Sequence, residues 1–189
     1  MRIVAGSAKG RTLRVPREAT RPTTDRVREA IFSKLMWDLE GARVVDLFAG
    51  SGALGLEALS RGALFAELVE SERQACGVIQ ANAERCGLAS QARTLATDVF
   101  RFLRGAPVAG WDLVFADPPW QTEEQPVDLA GQLLRSEGLR RGLKAEGLLV
   151  LEQQADWEWG EGEAFWERFD ERSYGKSAIH YFRPRKAQS

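Results

Sequence analysis

A chain of 189 residues, 44% of them hydrophobic, has the length for one sizeable core with modest additions and is too short for two full domains. With 26 Lys and Arg against 27 Asp and Glu, the formal charge is -1, which excludes a polycation that coats nucleic acid indiscriminately. No apolar run reaches the roughly 20 residues that span a bilayer, and the N-terminus has no signal-peptide core, so a soluble, cytoplasmic protein is expected.

The charge is unevenly spread. Between Met1 and Leu35 there are nine basic and three acidic residues, a local net of +6, whereas Glu152 to Glu167 holds six acidic residues and no basic one. Such asymmetry points to a polyanionic partner on one side. Residues Met1 to Val15 alternate around Ser7-Ala8-Lys9-Gly10 and predict a hairpin with a basic exposed side. Thr23-Thr24-Asp25 after Pro22 offers helix caps, and Val27, Ile31 and Leu35 recur at four-residue spacing, predicting an amphipathic helix to about Asp38 with Arg26 and Arg28 directed away from its apolar face.

From Arg43 the pattern changes to short apolar runs alternating with helical segments. Arg43 to Phe48 reads as a strand and Ala53 to Ser60 as a helix closed by Gly62. Leu64 to Val69 reads as a second strand ending at Glu70, Glu72 to Arg85 as a helix stopped by Gly87, and Ala92 to Ala96 as a third strand before Asp98. Trp111 to Ala116, a helix over Val127 to Leu134 and the wholly apolar Gly147 to Leu151 continue the series. Such runs between helices indicate a parallel sheet covered on both faces. Ala164 to Tyr174 and Ala178 to Arg183 lie too close for a crossover helix and predict an antiparallel hairpin. Cys76 and Cys86 fall on one helix, about 15 Å apart by rise, and are expected to be free thiols. With no CxxC pair and His180 as the one histidine, no metal site is expected.

Two loops carry chemistry. Gly50-Ser51-Gly52-Ala53-Leu54-Gly55 fits GxGxxG between a strand and a helix, with Glu70 twenty residues beyond the first glycine at the end of the next strand. Small residues let the backbone approach an adenosine-bearing ligand, and the carboxylate accepts hydrogen bonds from ribose hydroxyls. Both NAD and S-adenosylmethionine carry that ribose. Asp46, four residues before Gly50, would repel a pyrophosphate but attract a sulfonium amino acid, and little chain is left for the substrate domain and proton-handling group of a dehydrogenase.

The second loop, Asp117-Pro118-Pro119-Trp120, follows a buried strand and so stands at the carboxyl edge, where open α/β sheets bind ligands. Two prolines fix φ and remove two donors, leaving carbonyl oxygens and the Asp117 carboxylate as acceptors for an amino group. Trp120 offers a flat surface for stacking a base, worth about 1 to 3 kcal/mol.

Asp46 to Gly55, Glu70, Asp98 and Asp117 to Trp120 together resemble the successive motifs of class I S-adenosylmethionine methyltransferases that act on amino groups. More narrowly, Arg21-Pro22-Thr23-Thr24-Asp25-Arg26-Val27-Arg28-Glu29 with Phe48 to Arg61 resembles the RsmD family, bacterial 16S ribosomal RNA guanine-N2 methyltransferases. The resemblance covers nearly the whole chain. The family commonly carries Phe or Tyr where this sequence has Trp120, which keeps the stacking surface and enlarges it.

The resemblance implies a doubly wound, mostly parallel seven-stranded α/β sheet with an N-terminal β-hairpin extension and a C-terminal antiparallel hairpin. It divides the chain into an RNA-binding extension over 1–38 and a methyltransferase domain over 39–189. Asp46, Phe48, Gly50, Ser51 and Gly52 would hold the methionine part of S-adenosylmethionine, Glu70 the ribose, and Asp98 with Val99 the adenine. Asp117, Pro118, Pro119 and Trp120 would orient the guanine amino group for attack on the methyl. Arg2, Lys9, Arg11, Arg14, Arg21, Thr23, Arg26 and Arg28 would contact 16S ribosomal RNA, within an assembling small subunit, and the protein is expected to be a monomer. A DNA or other RNA amino-methyltransferase acting on adenine N6 or cytosine N4 is the runner-up, weakened by the lack of a target-recognition domain. A non-catalytic assembly factor is disfavoured by the intact Asp46, Glu70 and Asp117. Residues 121–142 and 152–167 match no motif.

Overall fold

In a computed structural model of the chain, residues 1–16, 24–123, 127–158 and 164–185 are described. The chain divides into two compact units, Met1–Val99 and Phe100–Ser189, and its seven strands form a mixed, mostly parallel sheet.

In the first unit, the N-terminal residues form a short arm that doubles back through an antiparallel bridge between Arg2 and Thr12. The Ile3 N–H donates to the Arg11 carbonyl and the Leu13 N–H to that of Met1. Helix α1 (Asp25–Lys34) starts at Thr24, whose hydroxyl accepts from the Val27 N–H. The helix stops four residues short of the expected Asp38 because Leu35 to Asp38 turn instead. Strands β1 (Arg43–Leu47), β2 (Phe65–Glu70) and β3 (Ala92–Ala96) pair in parallel in the order β3-β2-β1. Between them run α2 (Ala53–Ser60) and α3 (Arg73–Cys86), and α4 (Val99–Arg104) follows β3. Every residue of α2 is buried, Glu57 and Ser60 among an otherwise apolar run. Glu72 caps α3 at its start, and Gly87 ends it at φ 73°, the left-handed turn that glycine adopts most easily. Cys76 and Cys86, both on α3, are free and buried.

In the second unit, β4 (Trp111–Ala116) pairs in parallel with β5 (Leu143–Gln154). That strand pairs antiparallel with β7 (Ser177–Pro184), and β7 antiparallel with β6 (Trp166–Tyr174). The expected C-terminal hairpin turns at Gly175, φ 65°, between the paired Tyr174 and Ser177. Two short helices, α5 (Leu129–Arg135) and α6 (Glu137–Gly142), start at the Asp128 and Ser136 side chains. Trp166 is buried in this core with its indole N–H on the Leu134 carbonyl at 2.8 Å. Strand β5 begins four residues earlier than its apolar run suggested. Leu143 pairs with Trp111, and the half-exposed or exposed Lys144, Ala145 and Glu146 sit in a register shift before Leu148. Among the described residues no helix is long and apolar enough to cross a membrane.

Candidate functional site

The glycine loop joins β1 to α2, and its glycines do three different jobs. Gly50 (φ 54°) faces open space, where an added Cβ would meet only the Phe48 carbonyl at 4.0 Å. Gly52 (φ 76°) turns the chain, and a Cβ there would crowd Leu68 at 3.0 Å and Ile79 at 3.2 Å. Gly55 lets α2 lie against β2, because a Cβ would stand 2.9 Å from Leu68. Open room at the first glycine lets a ligand approach the backbone, the second makes the turn, and the third lets the helix pack closely on the sheet. Phe48, half-buried, takes φ 60°, a conformation costing about 1 to 2 kcal/mol for a residue with a Cβ, and it turns the strand into the loop.

Asp46 is buried within β1, and its Oδ2 accepts from the Gly55 N–H at 2.9 Å. Gly52, the residue before α2, has no side chain to cap the helix, so the strand supplies the acceptor that the helix start lacks. The expectation that Asp46 lies beside the glycines holds, and the structure adds a capping duty. Burial, opposed by the Gly55 N–H and reinforced by the Glu70 charge, pushes its carboxyl up to about 7 from 3.8. The folded chain therefore retains a proton that the unfolded chain releases, and stability falls as pH rises between those two values, by at most about 1.4 kcal/mol per pH unit. Asp46→Asn keeps an acceptor for Gly55 and cannot ionise. Denaturation midpoints of the two proteins should diverge from pH 4 towards pH 7, the variant gaining; a difference that ignores pH would reject the assignment.

Glu70 ends β2, and its Oε2 accepts from the Gly50 N–H at 2.9 Å while Oε1 accepts from the Glu72 N–H at 2.9 Å. The N–H that would cradle a pyrophosphate thus already faces a carboxylate. The Glu70 carboxylate at this N–H makes the loop hospitable to a cation and hostile to a dianion. Past Ala96 the ends of β2 and β3 remain joined, the Thr97 N–H donating to the Glu70 carbonyl at 3.0 Å. This brings exposed Asp98 and buried Val99, the first residue of α4, to the same strand ends. Asp46, Phe48, Gly50, Ser51, Gly52, Glu70, Asp98 and Val99 therefore gather at the carboxyl ends of three adjacent parallel strands. Open space at Gly50 and the Glu70 carboxylate beside it fit S-adenosylmethionine.

In the second unit, Asp117-Pro118-Pro119-Trp120 leaves the carboxyl end of β4 as an irregular segment. Pro118 is buried and anchors it, Pro119 is exposed, and Asp117 and Trp120 are half-buried. The motif thus presents a carboxylate and an indole from a segment whose bend is stiffened by two prolines.

Of the expected RNA contacts, Arg2, Lys9, Arg11, Arg14 and Arg26 are exposed, while Arg21 and Thr23 lie outside the described residues. Arg28 corrects the expectation. It is fully buried on the same side of α1 as Val27, Ile31 and Phe32, and its guanidinium donates to the Arg2 carbonyl at 2.6 Å and to Asp25 at 2.8 Å. From there it cannot reach a phosphate; it ties the arm to α1.

The arm itself is seated on α2. Glu57, fully buried, accepts from the N–H groups of Val4 (2.7 Å) and Ala5 (3.0 Å) and pairs with Arg61 at 2.7 Å. Ser60 accepts from the Ala8 N–H through its hydroxyl and from the Ser7 N–H through its carbonyl. Neither Glu57 nor Ser60 was expected to matter, nor was Asn82. The signal was present for two of them: Glu57 is the single charge in an apolar helix, and Asn82 falls on the buried side of α3 with Ala75, Ile79 and Cys86.

The family model described as Conserved hypothetical protein 95 matches residues 1–183. The chain belongs to this family, the RsmD family. Ribosomal RNA small subunit methyltransferase D of Escherichia coli (strain K12) is 43% identical over 124 residues, 64% of this chain and 61% of that protein, so the matched stretch spans less than two thirds of that relative. The protein of the same name from Haemophilus influenzae is 34% identical over 82% of this chain and 80% of its own length. The solved structure of yhhF from Escherichia coli superposes with TM-score 0.78 at 34% identity over 97% of each chain. A more distant structure, SMU.776 complexed with SAH, shares the fold at 15% identity, with TM-score 0.64 over 82% of this chain and 49% of that one. The fold is the doubly wound one of class I methyltransferases.

Proposed function

We propose that the protein is an S-adenosylmethionine-dependent methyltransferase that modifies the exocyclic N2 amino group of a guanine in 16S ribosomal RNA. The observation that carries the reading is the Glu70 carboxylate on the Gly50 N–H, with Asp46 buried behind it. This acid-lined glycine loop suits a sulfonium amino acid joined to a ribose and disfavours a nicotinamide dinucleotide. The names of the Escherichia coli and Haemophilus influenzae relatives supply the ribosomal RNA.

In this reading Glu70 accepts from the ribose hydroxyls, Asp98 from the adenine amino group, and Val99 packs on the ring. S-adenosylmethionine supplies the methyl group. Trp120 stacks on the guanine, while Asp117 and the Pro118 carbonyl accept hydrogen bonds from its amino group and aim the nitrogen lone pair; after transfer, the excess proton leaves to Asp117 or water. Most of the acceleration is positioning, so no strong base is required. Calorimetry with S-adenosylmethionine and with NAD separates this reading from a dehydrogenase, and binding of NAD alone would reject it. Mapping methyl groups on small-subunit RNA from a strain lacking the protein, then restoring the mark in vitro, identifies the nucleotide; transfer to adenine or cytosine instead would overturn the guanine assignment.

The exposed arm is the proposed RNA contact. Reversing Arg2, Lys9 and Arg11 together to Glu should weaken RNA binding by at least tenfold and flatten its dependence on salt, by about 0.7 to 0.9 in log slope for each phosphate that the arm no longer neutralises. The readout is a filter-binding titration across salt concentrations, and unchanged binding would exclude the arm.

A further inference from the structure

The arm and the glycine loop share one side chain. Asn82 is fully buried on α3, and both ends of its amide are used. Its Oδ1 accepts from the Arg14 N–H at 2.8 Å. Its Nδ2 donates to the Arg14 carbonyl and to the Ser51 carbonyl, each at 2.9 Å. Asn82 therefore treats Arg14 as a strand neighbour would, taking and giving one main-chain hydrogen bond, while its remaining proton fixes the middle residue of Gly50-Ser51-Gly52. A second contact runs the same way: the Ser51 hydroxyl lies 3.6 Å from the Met1 sulfur. Farther along, α2 starts at this loop and is gripped by arm residues through Glu57 and Ser60.

The energetics make this arrangement two-way. A buried donor or acceptor left unmet costs about 1 to 3 kcal/mol. If Arg14 withdraws, the Asn82 oxygen and one Nδ2 proton lose their partners, and an amide that turns to find others gives up its bond to Ser51. If the loop shifts the Ser51 carbonyl, the geometry that holds Arg14 changes in turn. Open room at Gly50 leaves space for such a shift next to Ser51.

We propose that Asn82 is a positioning residue that couples the basic arm to the cofactor loop, so that cofactor binding orders the arm and RNA held on the arm tightens cofactor binding. The RNA half rests on the proposed function; the cofactor half needs only a ligand in the glycine loop. Coupling of this kind is reciprocal and typically 5- to 150-fold in affinity.

Two measurements on the full chain test it. First, hydrogen exchange with and without saturating S-adenosylmethionine should show the Ile3, Leu13 and Arg14 amides slowing by about tenfold in the native protein. They should not respond in Asn82→Leu, although that variant still binds the cofactor. Unchanged arm exchange in the native protein, or an equal response in the variant, would overturn the coupling. Should Asn82→Leu fail to fold, Arg14→Pro removes the donated N–H with Asn82 itself intact, and the Ile3 and Leu13 amides report the same loss; a native-like response there would equally overturn the coupling. Second, calorimetry with and without a small-subunit RNA fragment should give an S-adenosylmethionine Kd about tenfold lower with RNA, the ratio falling to about one in Asn82→Leu. RNA that binds without altering cofactor affinity overturns the coupling and leaves the proposed function standing. RNA that does not bind at all overturns the arm's assigned role, and the exchange experiment, which contains no RNA, then judges the coupling alone.

Discussion

Asp117→Ala is expected to lower turnover on small-subunit RNA by about 10²-fold or more while leaving S-adenosylmethionine affinity unchanged. The carboxylate follows β4 directly and stands next to buried Pro118, so its place is set by the strand end and the stiff dipeptide. In the proposed reading, truncation to Ala removes an acceptor for the target amino group. Orienting an amine and receiving its proton are effects of about 10² to 10⁴. In the proposed reading, cofactor affinity rests on the glycine loop, Glu70 and Asp98, which explains the expected split. Single-turnover kinetics beside calorimetry make the comparison, and Asp117→Asn, which keeps one oxygen acceptor, should fall between the two. Native turnover in the Ala variant would remove Asp117 from the chemistry.

Deleting residues 1–16 should cost stability as well as RNA binding, on the order of 5 kcal/mol. Ile3 and Leu13 are almost wholly buried, and each such side chain contributes about 1.5 to 3 kcal/mol. Removal also strips Glu57 of the Val4 and Ala5 N–H groups and leaves a buried carboxylate with Arg61 alone. Thermal unfolding of the truncated chain should shift down by about 10 to 20 °C by the usual conversion for a domain of this size. Unfolding at the native temperature would mean the arm is an appendage. The arm is therefore tested for RNA by reversing exposed charges, because truncation confounds binding with folding.

Much of this was legible from residue order alone. The strand, loop and helix around Gly50, the second strand ending at Glu70, and the capped helix stopped at Gly87 follow from local rules that the sequence obeys. The alternation of apolar runs with helices predicted a mostly parallel sheet. The C-terminal hairpin was legible from the short Gly175-Lys176-Ser177 spacing. Helices α4 and α6 were not. Val99 to Arg104 is too short for its periodicity to show, and Glu137 to Gly142 carries two glycines that read as loop until the Ser136 cap and the burial of Leu139 are seen. Arg28 was misplaced because an arginine beside apolar residues reads as a surface charge. Its burial depends on Asp25 and on a carbonyl of Arg2, 26 residues earlier in the chain. Glu57, a lone charge in an otherwise apolar helix, and Asn82, on a buried helix face, stood out by position, but the distant main-chain groups they hold are recorded by no residue pattern.

Holding the arm by its peptide groups has an evolutionary corollary. Glu57, Ser60 and Asn82 bind N–H and carbonyl groups that nearly every amino acid possesses, so outside the buried Ile3, Ala8 and Leu13 and the left-handed Gly6 and Gly10, the first of which lies against the Ser60 backbone, the identity of each arm residue is released from folding duty. A library that randomises Arg2, Lys9, Arg11 and Arg14 while leaving those five positions untouched should yield mostly folded proteins, giving selection, natural or in the laboratory, a surface on which to retarget binding without rebuilding the fold.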